Sequence, residues 1–376
     1  MSKVKALQCS DIGKVELVEF PMPTVAEDAL LIKLLTCGIC GTDLHGIKGM
    51  RSQIKLPIIP GHEMIGEVHA IGARALRGIK VFGDRGLAVG DRVTINPRIV
   101  CDKCFYCQRL PQRPEMCMNA RTYNSSIRSE APPHLFGGWA EYIYILPGSE
   151  IVKVPSRLSP EIGILAEPFA CAVGAIDRYR RTHDWIDGDA FGVDQPVVVY
   201  GCGAIGMGFV AGFGLINAKT IIAVDALGEK LALATQFGAT HTINVSEQDA
   251  ATRVAMIKDL TDGLGAGVAV EACGVPAVLT ECVEIARRGA KIFELGHLVD
   301  AGPATVDPLK ICRNEIEILG NYAYPSSQCM AYAARLLAEH ALPYEKLVGL
   351  FRLDEHEAVL FGDRATSVIK AGFQMV

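Results

Sequence analysis

A glycine-rich turn between a short strand and a helix constrains this chain more than any other feature of its sequence. The turn, Gly201-Cys202-Gly203-Ala204-Ile205-Gly206, follows the β-branched run 196–200 and opens a helical pattern over residues 204–214. A second strand-type run, 220–224, is followed by Asp225, 22 residues after Gly203. A strand, a G-x-G-x-x-G turn, a helix and a later acid together indicate a dinucleotide-binding βαβ unit.

Each part of this unit has a physical role. Gly201 permits the tight turn, Gly203 lets the backbone approach a pyrophosphate, and Gly206 allows the helix to pack closely on the strand. Free N–H groups at the helix N-terminus attract the pyrophosphate. Asp225 can accept hydrogen bonds from ribose hydroxyls and repels a 2′-phosphate, which favours NAD over NADP. The predicted cofactor-binding residues are Gly201, Gly203, Ala204, Ile205, Gly206, Asp225 and Lys230. A glycine-rich turn without a ligand is the alternative.

The two halves of the chain differ in their pattern of strand-type and helical runs. From residue 196 onward, strand-type runs at 196–200, 220–224, 240–245, 268–271, 291–295 and 315–319 alternate with helical stretches such as 229–237 and 278–288. This alternation predicts a doubly wound parallel sheet. The first 165 or so residues are rich in glycine, proline and short β-type runs (29–35, 67–71, 91–95 and 140–145) and predict a mostly antiparallel β domain. The polar segment 177–195 is predicted to be a surface loop, and binding of an acidic substrate or a partner is the alternative.

The composition agrees with an α/β protein of two domains. A chain of 376 residues suggests two domains at roughly 150 residues each. The formal net charge of −5 argues against nucleic acid as a partner. No apolar run approaches the roughly 20 residues of a membrane span, and the N-terminus lacks the apolar segment of a signal peptide. The sequence therefore predicts a cytoplasmic protein with a small-molecule substrate, without nucleic-acid or membrane partners.

Four cysteines form the strongest metal signal. Cys101, Cys104, Cys107 and Cys117 supply four thiolates within 17 residues. Four sulfurs at such spacing can surround one tetrahedral Zn²⁺, and a closed site of this kind is structural. Free thiols and an iron–sulfur cluster are the alternatives.

A second group of polar residues suggests a catalytic metal site. Cys40 and His62 are ligands suited to zinc, and either Glu63 or Glu167 can supply a third. Three protein ligands leave an open position for water or substrate. Cys37 and Cys40 also form a C-x-x-C pair, but no thioredoxin-like unit surrounds them.

Several motifs together resemble the zinc-dependent medium-chain dehydrogenase/reductase family of alcohol and polyol dehydrogenases. These motifs cover essentially the whole chain and follow the family order. They are Cys40-Gly41-Thr42-Asp43-x-His45, Gly61-His62-Glu63-x-x-Gly66, Val89-Gly90-Asp91-Arg92-Val93, the cysteine cluster, Gly137-Gly138-Trp139-Ala140-Glu141-Tyr142 and the glycine turn. The departures are a Cys107–Cys117 interval two residues longer than usual and longer segments at 73–88 and 177–195.

The resemblance implies a fold and a domain division. A GroES-like, mostly β catalytic domain would comprise residues 1–169 and 319–376, with a structural-zinc lobe at about 98–120. A Rossmann NAD-binding domain would comprise residues 170–318. The active site would lie in the cleft between the domains. Family members are homotetramers or homodimers, and a homotetramer is expected here.

The resemblance also implies roles for individual residues. Cys40 and His62 would bind a catalytic zinc, Glu167 lies where the family places its third ligand, and Glu63 would lie beside the metal. Thr42 and His45 would carry the substrate proton away. The remaining expected roles are the orientation of His62 by Asp43 and a second, structural zinc held by Cys101, Cys104, Cys107 and Cys117. Candidates for substrate selection, each of which also suits ordinary packing, are Leu44, Ile47, Arg51, Phe136, Phe169 and His297.

The expected function is reversible, zinc-dependent hydride transfer between NAD and a secondary alcohol, a polyol or a cyclic sugar alcohol. An L-threonine 3-dehydrogenase-like enzyme is the first alternative, although that branch usually has Asp-Pro where this chain has Glu167-Pro168. A zinc- and NAD-binding protein without turnover is the second. The retained Thr42 and His45 argue against a protein that has lost catalysis.

Overall fold

The structure, a computed structural model, describes residues 2–84, 86–182, 195–322 and 325–375. It divides into two compact units, one of Met1–Ala170 with Tyr324–Val376 and one of Cys171–Ala323. Within the described ranges, no helix combines the length and the apolar character needed to cross a membrane.

The strands of the described residues are numbered in chain order. They are β1 (Lys3–Asp11), β2 (Lys14–Pro21), β3 (Leu30–Gly38), β4 (Glu63–Ile71), β5 (Lys80–Gly83), β6 (Arg92–Ile95), β7 (Arg98–Ile99), β8 (Arg121–Thr122), β9 (Tyr142–Ile145), β10 (Glu150–Lys153), β11 (Val197–Tyr200), β12 (Ile221–Asp225), β13 (His241–Asn244), β14 (Ala266–Glu271), β15 (Ala286–Glu294), β16 (Glu317–Gly320), β17 (Val348–Arg352) and β18 (Lys370–Gln374).

The α-helices of the described residues are numbered in the same way. They are α1 (Gly41–Ile47), α2 (Phe105–Arg109), α3 (Pro160–Gly163), α4 (Ala166–Thr182), α5 (Ala204–Leu215), α6 (Gly228–Gln236), α7 (Ala250–Asp259), α8 (Pro276–Ile285), α9 (Pro308–Arg313), α10 (Ser327–Glu339) and α11 (His356–Leu360).

The first unit is built on a mixed sheet in the order β17-β18-β3-β4-β6-β10-β5, with β9 paired to β3. Its core contains Trp139 and Phe373, both fully buried, with ring centroids 5.3 Å apart. The indole N–H of Trp139 donates to the carbonyl of Gly38 at 3.2 Å. Strand β18 pairs parallel with β17 and antiparallel with β3, so these two late strands join a sheet whose other members lie between residues 30 and 153.

The second unit is a six-stranded parallel sheet in the order β13-β12-β11-β14-β15-β16. Every residue of the Val-rich strand β11 is buried, as expected for a central strand covered on both faces. This order is that of the doubly wound dinucleotide-binding fold. The predicted architecture, a mostly β domain and a doubly wound parallel-sheet domain, is confirmed.

Three segments differ from the expectation or add to it. The helix predicted to reach residue 288 ends at Ile285, because Ala286 becomes extended (φ −66°, ψ 132°) and pairs with Ala266 in the sheet. Of the predicted loop 177–195, residues 177–182 are helical and belong to α4, whereas residues 183–194 lie outside the described residues. The longer segment 73–88 contributes β5, which pairs parallel with β10 at the sheet edge.

Candidate metal sites and dinucleotide-binding loop

The first candidate metal site lies beside the ends of β3 and β4. These antiparallel strands place Gly38 opposite Glu63, so Cys40, just beyond β3, approaches His62, just before β4. The ligand-type atoms of Cys40, His62 and Glu63 all lie within 4.8 Å of one another. His62 and Glu63 are buried. A thiol, an imidazole and a carboxylate form a donor set that suits zinc.

Asp43 orients the imidazole of His62. Its Oδ1 atom lies 3.1 Å from Nδ1 of His62, which leaves Nε2 available to a metal ion. The carboxylate also accepts hydrogen bonds from the backbone N–H groups of Cys40, at 3.1 Å, and Gly61, at 3.3 Å. Burial acts to raise the pKa of Asp43, but the charge and the hydrogen bond of His62 outweigh it and hold the pKa below its ordinary value. Asp43 therefore remains an anion.

Asn124, which was not among the residues predicted from the sequence, belongs to the same network. Its Nδ2 atom donates to Oδ1 of Asp43 at 2.9 Å and lies 3.1 Å from Nδ1 of His62. The residue has a positive φ of 71°, a conformation that Asn tolerates better than most residues. The sequence signal is only local, because Tyr123-Asn124-Ser125 reads as a turn and nothing in it points to His62.

A buried ion pair holds the carboxylate of Glu63. Nζ of Lys370 lies 2.6 and 2.9 Å from the two oxygens of Glu63 and donates to the carbonyl of Ile39 at 3.2 Å. Gly38 makes room for this carboxylate, since a Cβ at that position would overlap Oε2 of Glu63. Lys370 lies 307 positions from Glu63, and no sequence pattern links the two residues.

Glu167, the other candidate for the third ligand, lies in the first turn of α4 and is buried. It is not part of the group of Cys40, His62 and Glu63 that lies within 4.8 Å. Burial raises the pKa of Glu167 to about 7. The negative charge of Glu63 adds to this rise, whereas the positive charges of His62 and Lys370 act against it. The carboxyl of Glu167 is therefore a buried acid within electrostatic range of the candidate metal ligands.

Thr42 and His45 lie on one helix, α1, and their spacing of three places them on one face. The Nδ1 atom of His45 is buried and has no hydrogen-bond partner among the described residues. Burial and the positive charges of Lys48 and Arg51 lower the pKa of His45 below its ordinary value of 6.5. His45 is therefore a neutral imidazole at pH 7, able to accept a proton.

The other candidates for substrate selection in this unit have mixed environments. Ile47 and Phe136 are buried in the hydrophobic core, which agrees with a packing role. Phe169 is buried against the ring of Tyr344, with centroids 5.8 Å apart. Leu44 is partly buried against the same core. Arg51 points a guanidinium nitrogen at the carbonyl of Thr42, at 3.5 Å.

The four clustered cysteines converge as their spacing predicts. The sulfurs of Cys101, Cys104, Cys107 and Cys117 lie within 4.8 Å of one another. Sγ of Cys107 lies 3.5 Å from that of Cys104 and 3.9 Å from that of Cys101. A 3₁₀ turn, Pro114–Met116, accommodates the longer interval before Cys117. Four converging sulfurs fit a tetrahedral zinc ion with no open position.

The cysteine lobe already favours thiolate at two positions. Backbone N–H groups of Lys103 and Cys104 lower the pKa of Cys101 to about 6, and similar hydrogen bonds lower the pKa of Cys104. Burial raises the pKa of Cys107 to about 12. Four thiolates this close repel one another, so full deprotonation needs the positive charge of a bound cation.

The glycine turn has the geometry of a dinucleotide-binding loop. Gly201 has a positive φ of 89°, and a Cβ on it would lie 3.0 Å from the backbone of Ala272. A Cβ on Gly206 would overlap the carbonyl oxygen of Gly201. Gly203 directly precedes α5, and a Cβ on it would meet no atom within 4 Å, so the space above it is open to a ligand. Ala204 and Ile205 form the first turn of α5, where backbone N–H groups lack helical partners.

Asp225 lies at the end of β12 and organises the same loop. Its Oδ2 atom accepts from the backbone N–H of Cys202 at 2.7 Å, and its Oδ1 atom accepts from that of Leu227 at 3.0 Å. Each oxygen has a further lone pair for a ribose hydroxyl. Burial raises the pKa of the Cys202 thiol to about 12. Lys230, in α6, is close enough for its positive charge to act against this rise.

Two family profiles match the chain, one within the first unit and one that covers most of the second unit and continues into the first. Residues 26–156 match the alcohol dehydrogenase GroES-like domain, and residues 204–339 match the zinc-binding dehydrogenase domain. An erythritol/L-threitol dehydrogenase of Mycolicibacterium smegmatis is 30% identical over 92% of this chain and 90% of its own length. A sorbitol dehydrogenase of Bacillus subtilis is 30% identical over 86% of this chain and 83% of its own.

Other matches widen the range of chemistry. An L-threonine 3-dehydrogenase of Shewanella baltica is 29% identical over 86% of this chain and 83% of its own. Among solved structures, a zinc-binding dehydrogenase from Sinorhizobium meliloti, bound to NADP, has a TM-score of 0.84 at 27% identity, with both chains covered completely.

Proposed function

The chain belongs to the zinc-binding alcohol dehydrogenase family with a GroES-like domain, and from that premise we propose that it oxidises a polyol or another secondary alcohol to the ketone, reversibly, with NAD as hydride acceptor. One observation carries the proposal. The Asp43-oriented His62 and the thiol of Cys40 lie together, next to the helix that bears Thr42 and the neutral His45. Metal ligands and a proton acceptor in one place are what alcohol oxidation requires.

The residues present fit a zinc ion. Cys40 and His62 would hold it, with a third ligand from Glu63, which lies in the same 4.8 Å group, or from Glu167, since Lys370 already pairs with Glu63. Burial raises the pKa of Glu167 to about 7, and a bound cation nearby would favour the ionised carboxylate. A bound zinc ion contributes Lewis acidity, which lowers the pKa of an alcohol hydroxyl.

The proton released by the hydroxyl needs a path. Thr42 can relay it through its own hydroxyl, which both donates and accepts. His45, three residues further along α1, can accept it because its pKa is lowered and its Nδ1 atom has no partner within the described part of the chain. NAD would supply the hydride acceptor, and Asp225 would select NAD by hydrogen bonding to the adenosine ribose.

Oxidation of L-threonine is the second candidate. The relative from Shewanella baltica, at 29% identity, supports it, whereas Glu167-Pro168 supports the polyol branch. A protein that binds zinc and NAD without turnover is the third. Chelation separates this last candidate from the others, because it abolishes turnover in an enzyme but only destabilises a binding protein.

A substrate panel tests the proposal. NADH formation would be measured with primary alcohols, secondary alcohols, vicinal diols, linear polyols, cyclic polyols and L-threonine, using the zinc-loaded protein. Turnover confined to secondary alcohols or polyols is the expected result. Turnover with L-threonine alone would replace the proposal by the second candidate. No turnover with any substrate, despite bound zinc and NAD, would count against an alcohol dehydrogenase of these classes.

We also propose a homotetramer, with a homodimer as the alternative, on the family resemblance. Light scattering coupled to size-exclusion chromatography would measure the mass as a multiple of the 40.4 kDa chain. A monomer at assay concentration would contradict this proposal without touching the proposed reaction.

A further inference from the structure

A third cluster of ligand-type side chains lies in the second unit, outside both candidate zinc sites. It consists of Glu271, Glu294 and His297, whose carboxylate and imidazole atoms lie within 4.8 Å of one another. Glu271 ends β14 and Glu294 ends β15, and the parallel register pairs these two residues directly. His297 follows three residues later. The cluster therefore lies at the carboxyl ends of two neighbouring strands.

Glu271 is the anchor of this cluster. It is completely buried, and its Oε1 atom accepts from the backbone N–H groups of Cys273, at 3.0 Å, and Gly274, at 2.8 Å. Its Oε2 atom accepts from the backbone N–H of Gly296 at 3.1 Å. A Cβ on Gly296 would overlap this carboxylate oxygen and the backbone nitrogen of Gly274. One buried acid thus ties the loop after β14 to the loop after β15.

His297 is held by one of its two ring nitrogens. Its Nδ1 atom lies 2.7 Å from Oε1 of Glu294 and 3.4 Å from Oε2 of Glu271. Facing two carboxylate oxygens, Nδ1 carries a proton and donates it. The Nε2 atom is buried and has no hydrogen-bond partner in the part of the chain that the structure describes. Buried polar atoms without a partner are rare in folded proteins and call for an explanation.

The position of His297 in the sheet suggests which molecule supplies the partner. In a doubly wound sheet, a dinucleotide binds across the carboxyl ends of the strands at the point where the strand order reverses, here between β11 and β14. Asp225, at the end of β12, marks the side of the adenosine ribose. The strands on the other side, β14 to β16, therefore face the nicotinamide half. The glycine loop contacts this side, since a Cβ on Gly201 would lie 3.0 Å from Ala272.

We propose that His297 binds the nicotinamide riboside half of NAD through Nε2, and that Glu271 and Glu294 are positioning residues that fix its ring. Ribose hydroxyls and the carboxamide group each contain both a donor and an acceptor, so the contact forms whether Nε2 is protonated or not. The inference rests on the proposed function, because it takes NAD as the ligand of the second unit. It adds a cofactor contact that the glycine turn and Asp225 do not provide.

The test compares two ligands on the zinc-loaded full-length protein. NADH carries the nicotinamide half, whereas ADP carries only the adenosine half, and both dissociation constants can be measured by calorimetry. His297→Phe keeps a ring without a hydrogen-bonding atom, and we expect about a tenfold weaker NADH affinity with ADP affinity unchanged. His297→Gln, which retains hydrogen-bonding atoms, is expected to recover part of the NADH affinity. His241→Phe is the matched control, because this exposed histidine begins β13, at the opposite edge of the same sheet.

The other possible outcomes separate a failure of this inference from a failure of the proposed cofactor. An unchanged NADH affinity in His297→Phe would overturn the inference and leave the proposed function intact. Wild-type protein that binds ADP but not NADH, or neither, would instead refute the proposed cofactor. If His297→Phe weakens the binding of both NADH and ADP, the affinities of His297→Gln distinguish the explanations. An equal loss of affinity for both ligands in His297→Gln would mean that His297 has a purely structural role. A third zinc equivalent that disappears in both variants would show a metal site and also overturn the inference.

Discussion

The ammonium nitrogen of Lys370 lies 2.6 and 2.9 Å from the two carboxylate oxygens of Glu63. Lys370 is the first residue of β18, two residues before the position at which β18 pairs with the end of β3. Both side chains are almost completely buried, at 6% and 1% exposure. The C-terminal strand thereby neutralises an acid that lies within ligand distance of Cys40 and His62. Without this lysine, the candidate metal site would contain two buried carboxyl groups, Glu63 and Glu167, with less compensating charge.

The first prediction follows from this pair. Lys370→Met leaves the buried carboxylate of Glu63 without its cation, and breaking a buried pair from one side costs about 3–5 kcal/mol. Urea unfolding of the zinc-loaded protein would measure the loss. The double variant Lys370→Met/Glu63→Gln is expected to lose less than Lys370→Met alone, because the unpaired charge is gone. A double variant that is the less stable of the two would contradict this account of the pair.

The second prediction concerns the network that orients His62. Asp43→Asn removes the anion that accepts from Nδ1, and such changes typically cost about 10- to 100-fold in metal affinity. Asn124→Ala is expected to have a smaller effect in the same direction, because it removes a donor to Asp43 but leaves the contact between Asp43 and His62 in place. Competition with a chromogenic chelator would measure zinc affinity. Asp91→Asn is the control, since Asp91 pairs with Lys153 away from this network, and equal effects of all three variants would refute the assignment.

The third prediction concerns the cysteine lobe. Cys104→Ser should remove one zinc equivalent per chain and lower the thermal midpoint, because three sulfurs no longer close the tetrahedral site. Metal analysis and thermal unfolding would be recorded on the same samples. Cys312→Ser is the matched control, as Cys312 is an exposed cysteine outside the lobe. A Cys104→Ser protein with unchanged zinc content would mean that the lobe does not hold the metal.

The fourth prediction is a pH dependence. A neutral His45 can accept the substrate proton, so the rate of alcohol oxidation should fall as the pH drops through the pKa of His45. Burial and the charges of Lys48 and Arg51 lower this pKa, which puts the fall below pH 6.5. His45→Gln should lose this step in the profile, whereas His340→Gln, at an exposed position, should keep it. A step that survives in His45→Gln would assign the proton acceptor elsewhere.

The fifth prediction concerns the choice between NAD and NADP. Asp225→Asn keeps an oxygen acceptor near the backbone N–H of Cys202 but removes the charge that repels a 2′-phosphate. The ratio of kcat/KM for NADP to that for NAD should rise about tenfold or more, a shift of at least ~1.4 kcal/mol. Asp249→Asn is the control, because Asp249 caps α7 by accepting from the backbone N–H of Thr252. An unchanged ratio would mean that Asp225 acts only within the loop.

Features that depend on short stretches of sequence were predictable. The four cysteines fall within 17 residues, so their spacing alone limits how far apart the sulfurs can lie. The glycine turn is also local, because its geometry follows from the positive φ at Gly201 and the absence of a Cβ at Gly206. The alternation of strands and helices likewise predicted the parallel sheet, although not the end of α8 at Ile285.

Contacts between distant residues were decided only by the tertiary structure. Lys370 reaches Glu63 across 307 positions because β18 pairs with β3, and Asn124 reaches Asp43 across 81 positions through a turn with positive φ. His297 meets Glu271 because β14 and β15 are parallel neighbours. Residue types and local spacing thus determined the fold class and the candidate ligands. The register of the sheets determined which charged side chains lie beside these ligands. Strand pairing brings together residues that are far apart in the sequence, and no local sequence pattern predicts such contacts.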